Sequence, residues 1–283
     1  MGTIDRHVDF TILGLDVAGL LVIPLTLSLI HFAGSEALLA SLTHSADATT
    51  LQGLFGHWAV HHSTAHLVEN LVGYGLVAGV AYGIAWLIRE RWWFRLSGVA
   101  ILLVVPPGSA LVSDLAFGWL SPSLSYAARG VSAVVAAMLG LLYVLFLGFL
   151  HREFDRRVAI SVGGNVLIGT LVGLLWVVGD PPWTTVIGIL GAGVAVLLFD
   201  VGSRIRSEQD RQRPVDRWPR AGTTALLTTV VGTVLLTSAI ALVPADPFAG
   251  PAISNVYAHV TGFGLGGTIG GWGHRYWTAR SWF

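Results

Sequence analysis

The chain has 283 residues, of which 54% are hydrophobic and only 11% are charged, and its net charge is zero. Soluble domains carry about 25% charged residues, so this composition excludes an ordinary soluble protein and indicates an integral membrane protein. The absence of cysteine excludes a disulfide scaffold and a cysteine nucleophile or metal ligand. We therefore predict an all-α polytopic fold that forms a single integral membrane domain over residues 1–283.

Eight apolar segments are long enough to cross a bilayer, which takes roughly 20 residues. In chain order they are 10–33, 61–88, 96–118, 127–150, 158–178, 183–201, 220–243 and 254–273. The first is too long for the hydrophobic region of a cleavable signal peptide, so none is expected. The second begins with polar residues. The third contains Pro106-Pro107-Gly108, which predicts a kink or a break in that helix.

The distribution of arginines predicts the orientation of these segments. All 16 basic residues are arginines, and all but Arg129 fall on one side of an eight-helix topology. The opposite loops, about 34–60, 119–126, 179–182 and 244–253, contain none. By the positive-inside rule, the chain is a multi-pass protein of the cell membrane with both termini in the cytoplasm. The second, fourth and eighth segments then run from outside to inside.

Polar side chains recur near the outer ends of these three segments. Ser132 and His259 each lie about five residues into their segment, roughly 8 Å deep at 1.5 Å per residue. His66 and Asn70 are about five and nine residues into the second segment, so they lie at a similar depth. Polar groups in hydrocarbon are costly and therefore usually functional. A serine and a histidine at the same depth predict a nucleophile and its general base.

Small residues accompany both side chains. Ser132, Ala136 and Gly140 are spaced by four, and Ala258, Gly262 and Gly266 form a matching stripe beside His259. Such stripes let two helices approach closely, as a short Ser–His hydrogen bond requires. The structural alternative is that both stripes only pack and that Ser132 bonds back to its own helix, as membrane serines often do.

The polar start of the second segment allows two interpretations. His66 and Asn70 lie on one helix face, and both can donate hydrogen bonds to an oxyanion beside the serine. Alternatively, the pairs His57/His61 and His62/His66 have the HxxxH spacing of helical metal sites. Glu69 is the only carboxylate nearby, so a metal-dependent membrane enzyme is the weaker interpretation.

Three motifs together resemble the rhomboid family of intramembrane serine proteases. The run of His57, His61, His66 and Asn70 is similar to the family's histidines followed by HxxxN. Gly130-Val131-Ser132 resembles its GxSG motif, and Ala258-His259-x-x-Gly262-x-x-x-Gly266 resembles its AHxxGxxxG. The resemblance implies a Ser132–His259 dyad, with His66, Asn70 and the Ser132 amide around the oxyanion. Gly130, His61, Gly262 and Gly266 would support the site.

The resemblance also implies a substrate class. The chain departs from the family because Ala133 replaces the glycine after the serine, because 34–60 contains no clear Trp-Arg pair, and in two further respects. The protein would cleave single-span membrane proteins near the outer face of the lipid bilayer, with no cofactor, no metal and no nucleic-acid partner. The rhomboid-like core would comprise 10–33, 61–88, 96–118, 127–150 and 254–273, with additional helices between 158 and 243. Three predicted helices, where the family has one, separate the serine from the histidine. Ala136 stands where the family often has an aromatic residue that supports the histidine, so another group must orient His259.

Two further functions remain open at the level of sequence. A catalytically inactive rhomboid-like pseudoprotease would bind transmembrane segments, although binding alone needs neither the serine nor the histidine. A transporter would need carboxylates within the membrane, for which Asp16, Asp114 and Asp200 are the candidates.

Overall fold

The computed structural model describes residues 10–120, 127–154, 156–178, 218–243 and 255–280. The helices in these ranges are α1 (Phe10–Ala33), α2 (Glu36–Leu42), α3 (Leu51–Gly56), α4 (Thr64–Leu87), α5 (Arg91–Leu120), α6 (Ser132–Glu153), α7 (Arg156–Val178), α8 (Trp218–Leu242) and α9 (Val256–Arg280). The described ranges also contain two short 3-10 helices, Ala46–Ala48 and His57–Ala59, and two strands, β1 (His44–Ser45) and β2 (Ala127–Ala128). The protein is an all-α helical bundle, as its composition predicts.

Within the described ranges, six helices are long and apolar enough to cross a membrane: α1, α4, α5, α6, α7 and α8. They indicate a membrane protein. The predicted span 183–201 lies outside the described residues, as do both chain ends. The predicted span 254–273 forms part of α9, a longer helix whose many glycines leave it less apolar than the six. The count of eight spans and the orientation of the termini therefore stay predictions.

The helix that begins at Ser132 occupies the centre of the bundle. In its most apolar window 83% of the residues are buried, against 17% in α1. A helix that is apolar on every side is surrounded either by lipid or by other protein, and α6 is surrounded by other helices. Helices α4, α5, α7, α8 and α9 all pack against α6, so its position is fixed from several directions.

Of the two alternatives at Pro106-Pro107, the break is wrong, because α5 is continuous from Arg91 to Leu120, and the kink stays a prediction. Prolines remove backbone donors, and membrane helices tolerate them where side-chain hydroxyls and neighbouring helices compensate. Ser109 Oγ donates to the Pro106 carbonyl at 3.1 Å, and the flanking Val105 and Ala110 are buried in the bundle.

The expected start of the fourth segment at residue 127 is also wrong. Ala127 and Ala128 form β2, which pairs antiparallel with β1. Gly130 then turns the chain with a φ of +111°, a conformation that glycine adopts without a steric penalty. Ser132 is consequently the first residue of α6 rather than about the fifth, because the strand pairing holds the preceding residues out of the helix.

The predicted loop 34–60 contains ordered structure that fastens it to the bundle. His44, which is fully buried, contacts both carboxylate oxygens of Asp114 on α5 at 3.1 Å. A second carboxylate, the buried Asp16 on α1, accepts from Arg95 Nε at 2.6 Å and from the Tyr82 hydroxyl at 2.7 Å. Both carboxylates are therefore tied to structural partners, which disfavours the transporter interpretation. The third candidate, Asp200, lies outside the described residues.

Candidate active site

The structure brings the serine of α6 and the histidine of α9 into direct contact. Ser132 Oγ lies 2.8 Å from His259 Nε2, within the range of a hydrogen bond. Ser132 is the first residue of its helix and His259 the fourth of its own, so the pair meets where two adjacent helices begin. A serine hydroxyl that donates to an imidazole is the arrangement in which the imidazole can remove its proton.

The other ring nitrogen of His259 identifies the direction of this hydrogen bond. His259 Nδ1 is hydrogen-bonded to the backbone carbonyl of Leu242, the last residue of α8. A carbonyl oxygen can only accept, so Nδ1 carries the proton and the lone pair of Nε2 faces Ser132. His259 is thus held in the tautomer that a general base for Ser132 requires.

Helices α6 and α9 approach closely through small residues, although the predicted glycines of α9 lie against Ala133 and Ala137, each one residue along from a member of the predicted α6 stripe. A Cβ atom on Gly262 would collide with the backbone oxygen of Ala133, and one on Gly266 with that of Ala137. On the opposite side of the contact, a Cβ on Gly140 would collide with the Phe263 carbonyl. Glycine is therefore required at these positions if Ser132 and His259 are to remain 2.8 Å apart.

The start of α9 is fixed by an asparagine that the sequence analysis missed. The Asn255 side-chain oxygen accepts from the Ala258 backbone N–H at 3.0 Å and caps the helix. Its Nδ2 donates to Ser113 Oγ of α5 at 2.8 Å, and Ser113 in turn donates to the Ser109 carbonyl at 2.6 Å. An asparagine directly before an apolar helix is an N-cap signal, so the sequence could have identified Asn255 but not its partner in α5.

His66 and Asn70 lie beside the turn that leads into Ser132. A Cβ on Gly130 would come within 2.9 Å of His66 Cε1 and 3.7 Å of Asn70 Nδ2, so both side chains contact this turn. The Gly130 N–H donates to the His57 carbonyl at 3.0 Å, which holds the turn in place. Among the described residues, the buried atoms His66 Nδ1 and Asn70 Nδ2 have no hydrogen-bond partner.

His61 lies one layer further from Ser132. Its ring centroid is 5.2 Å from that of His66, in an edge-to-face arrangement, and neither of its ring nitrogens has a partner in the described structure. His61 contacts His66 but does not line the cavity that contains Ser132. In the described structure its contact with the site is the packing against the ring of His66.

A cavity of about 1100 Å³ connects these residues. Its polar end is lined by Ser132, His259, His66 and Asn70, and its apolar part by residues of α4 and α8. The α4 residues Val68 and Val72 line it while remaining 51% and 64% exposed, so the cavity opens at the side of the bundle. An extended peptide could reach Ser132 from this opening.

Burial lowers the pKa of His57 to about 4, so the ring is neutral at neutral pH. Its Nδ1 points at the Gly53 carbonyl at 3.1 Å, which assigns the proton to that nitrogen and gives the ring a structural bond. In the described ranges, no three histidine, aspartate or glutamate side chains converge as a metal site would require. These contacts favour a structural rather than a ligating histidine at position 57.

Comparison of the chain with protein-family models, with curated proteins and with solved structures finds no match. The rhomboid resemblance therefore rests on the residues of the site and on the way that the described helices bring them together.

Proposed function

We propose that this protein is an intramembrane serine endopeptidase of the rhomboid type. The observation that carries the proposal is the 2.8 Å contact between Ser132 Oγ and the unprotonated Nε2 of His259. The substrates would be single-span membrane proteins, and the bond would be cut near the outer face of the cell membrane. Six helices able to span a membrane and a site at the helix starts agree with this substrate class.

In the proposed reaction, Ser132 Oγ attacks the carbonyl carbon of the scissile peptide bond while its proton passes to His259 Nε2. The resulting tetrahedral intermediate carries its negative charge on the former carbonyl oxygen. His259 then gives the proton to the departing amide nitrogen, which leaves as an amine and leaves an acyl ester on Ser132. A water molecule, deprotonated by the same nitrogen, hydrolyses that ester and restores the serine.

His66 and Asn70 would stabilise the intermediate. Buried donors without partners are costly, each by about 1–3 kcal/mol, so their presence beside a nucleophile calls for an explanation. An oxyanion supplies the missing acceptor, and donors already in place need no reorganisation when the charge develops. The unpaired Asn70 Nδ2 beside Gly130 supports this role most directly.

Access to the site is consistent with a membrane-anchored substrate. The cavity is open beside Val68 and Val72 on α4, so a transmembrane segment could approach from the lipid. The amides of a helical segment are already hydrogen-bonded and shield the scissile carbonyl, so the segment must unwind before it reaches Ser132.

The test is labelling of the purified protein with a fluorophosphonate probe, which reacts with activated serines. Wild type should be labelled, and Ser132→Ala and His259→Ala should not. Ser238→Ala is the matched control, because Ser238 is a buried serine that lines the same cavity from α8, and its loss should leave labelling intact. Labelling that survives in Ser132→Ala would refute the proposed nucleophile.

The same experiment separates the enzyme from a pseudoprotease. A protein that only binds transmembrane segments should bind a single-span peptide, but it should neither react with the probe nor cleave a substrate. If metal were required instead, chelation should abolish cleavage and zinc should restore it, whereas the proposed mechanism expects neither effect.

A further inference from the structure

The end of α8 contacts His259 at Nδ1, the ring nitrogen that does not bond to Ser132. Helix α8 is the last of the predicted helices that separate the serine helix from the histidine helix. Its last residue, Leu242, presents its backbone carbonyl to His259 Nδ1. We propose, on the basis of the proposed protease function, that the C-terminus of α8 is the third member of the catalytic group. It would orient and stabilise the His259 imidazole as a carboxylate does in a Ser-His-Asp triad.

The chemistry of a helix end suits this role. The last four carbonyls of an α-helix have no partner within the helix, so they are available to other donors. In α8 the Val243 N–H bonds to the Ala239 carbonyl at 3.0 Å, and Leu242 lies beyond that last bond. The Leu242 carbonyl is therefore free to accept from His259. Val243 is followed by Pro244 in the sequence, and a residue before proline is disfavoured in a helix.

The helix end also supplies charge. The aligned peptide dipoles place roughly half a negative elementary charge at a helix C-terminus. The imidazole becomes positive when it takes the Ser132 proton, so this charge stabilises the state that forms during the reaction. A carboxylate in the same position would have to be buried among apolar helices, which is costly when it has no cation as partner. A helix end provides part of the effect without a buried ion.

Packing holds the end of α8 in position. The helix buries Val231, Val234 and Leu235 against its neighbours, chiefly α6 and α7. On α7, Gly173 lies against the Leu236 side chain so closely that a Cβ would collide with it. Because α8 packs on the helix that carries Ser132, its last carbonyl has a fixed position relative to the serine. The fixed carbonyl also compensates for Ala136, which cannot support the His259 ring as an aromatic residue would.

An amide-to-ester replacement tests the Leu242 carbonyl without changing a side chain. Nonsense suppression with the α-hydroxy acid that corresponds to Val243 converts the Leu242 carbonyl into an ester carbonyl, a weaker acceptor. The matched control replaces Ala241 by its α-hydroxy acid, which weakens the Ile240 carbonyl instead. Each variant loses one backbone N–H in the same turn of α8, so a general loosening of the helix end affects both equally.

Two measurements decide the outcome. The first is kcat and KM for a single-span substrate: the ester at 243 should lower kcat roughly threefold to tenfold, the size of one weakened hydrogen bond, with KM unchanged. The second is the ¹⁵N spectrum of labelled histidine, in which the His259 signals are assigned by their loss in His259→Gln. Wild type and the control should contain the Nδ1–H tautomer, and the ester at 243 should increase the Nε2–H form.

Equal effects of the two esters, or an Nε2–H tautomer in wild type, would overturn the inference. The tautomer is measured without turnover, so the inference and the proposed function can fail separately. A wild-type protein with no peptidase activity whose tautomer still depends on the 243 carbonyl would refute the function and leave the orienting contact intact.

Discussion

Replacing Gly262 by alanine should separate Ser132 from His259 without altering either side chain. Gly262 lies one turn beyond His259 on α9, and a Cβ there would meet the Ala133 backbone oxygen and, at 3.3 Å, the Ala136 Cβ. Real Cβ atoms essentially never come within 3.0 Å of such atoms, and a backbone oxygen cannot rotate away. Helix α9 must therefore move away from α6 at the level of the dyad.

The size of the effect follows from two opposing terms. Overpacking a tight contact costs about 1–3 kcal/mol, whereas glycine to alanine in a helix gains up to about 1 kcal/mol. Gly264→Ala, two residues further along α9, is the matched control because nothing lies within 4 Å of its Cβ position. It receives the gain without the collision, so the two variants should differ in the free energy of unfolding by about 1–3 kcal/mol. A displacement of about 1 Å in a reacting pair costs roughly 100-fold in rate.

The assay compares both variants in detergent by thermal unfolding and by cleavage of a single-span substrate. Gly262→Ala should melt several degrees below Gly264→Ala, at about 2–4 °C per kcal/mol, and should lose most of its kcat. Gly264→Ala should cleave at the wild-type rate. If Gly262→Ala cleaves and melts like its control, the close approach of α6 and α9 is not what maintains the dyad, and the argument from the small-residue stripes fails.

Three further outcomes are expected. Asn70→Ala should lower kcat by about 10–1000-fold with little change in KM, because an oxyanion donor is lost. A lower melting temperature with a normal kcat would instead assign Asn70 a structural role. Asp16→Asn should leave Arg95 without its charged partner and lower thermal stability, while Glu153→Gln, a change of the same chemistry on an exposed carboxylate at the end of α6, should not. A reporter fused at residue 210 should be cytoplasmic if the arginines set the orientation, and a reporter found outside would remove the eight-helix topology.

The parts of the fold that sequence predicts well are those set by the hydrophobic length of a helix. The expected first segment ends at residue 33, as α1 does, and the expected 220–243 ends one residue beyond the end of α8. Both are long apolar runs, and their ends follow from composition alone. The spacing of Ala136, Gly140, Gly262 and Gly266 likewise predicts which faces of α6 and α9 can meet, because helical periodicity determines the face.

The parts that sequence does not predict depend on contacts between distant residues. Helix α6 starts at Ser132 because β2 pairs with His44 and Ser45, which lie more than 80 residues earlier in the chain. The group that orients His259 is a backbone carbonyl, and a backbone atom leaves no signal in residue types. The sequence gives one indirect signal for this group. Position 136 holds alanine instead of an aromatic residue, which predicts that some other group must orient His259.

The pattern of satisfied and unsatisfied polar atoms links the fold to the proposed chemistry. The buried groups Asp16 and Ser113 have partners on neighbouring helices. Among the buried polar atoms that lack a partner in the described ranges, His66 Nδ1 and Asn70 Nδ2 are the ones whose residues line the cavity with Ser132. Folding stability alone would favour apolar side chains at these positions. Unpaired polar atoms beside a serine that already contacts its base are better explained by a partner that arrives with the substrate.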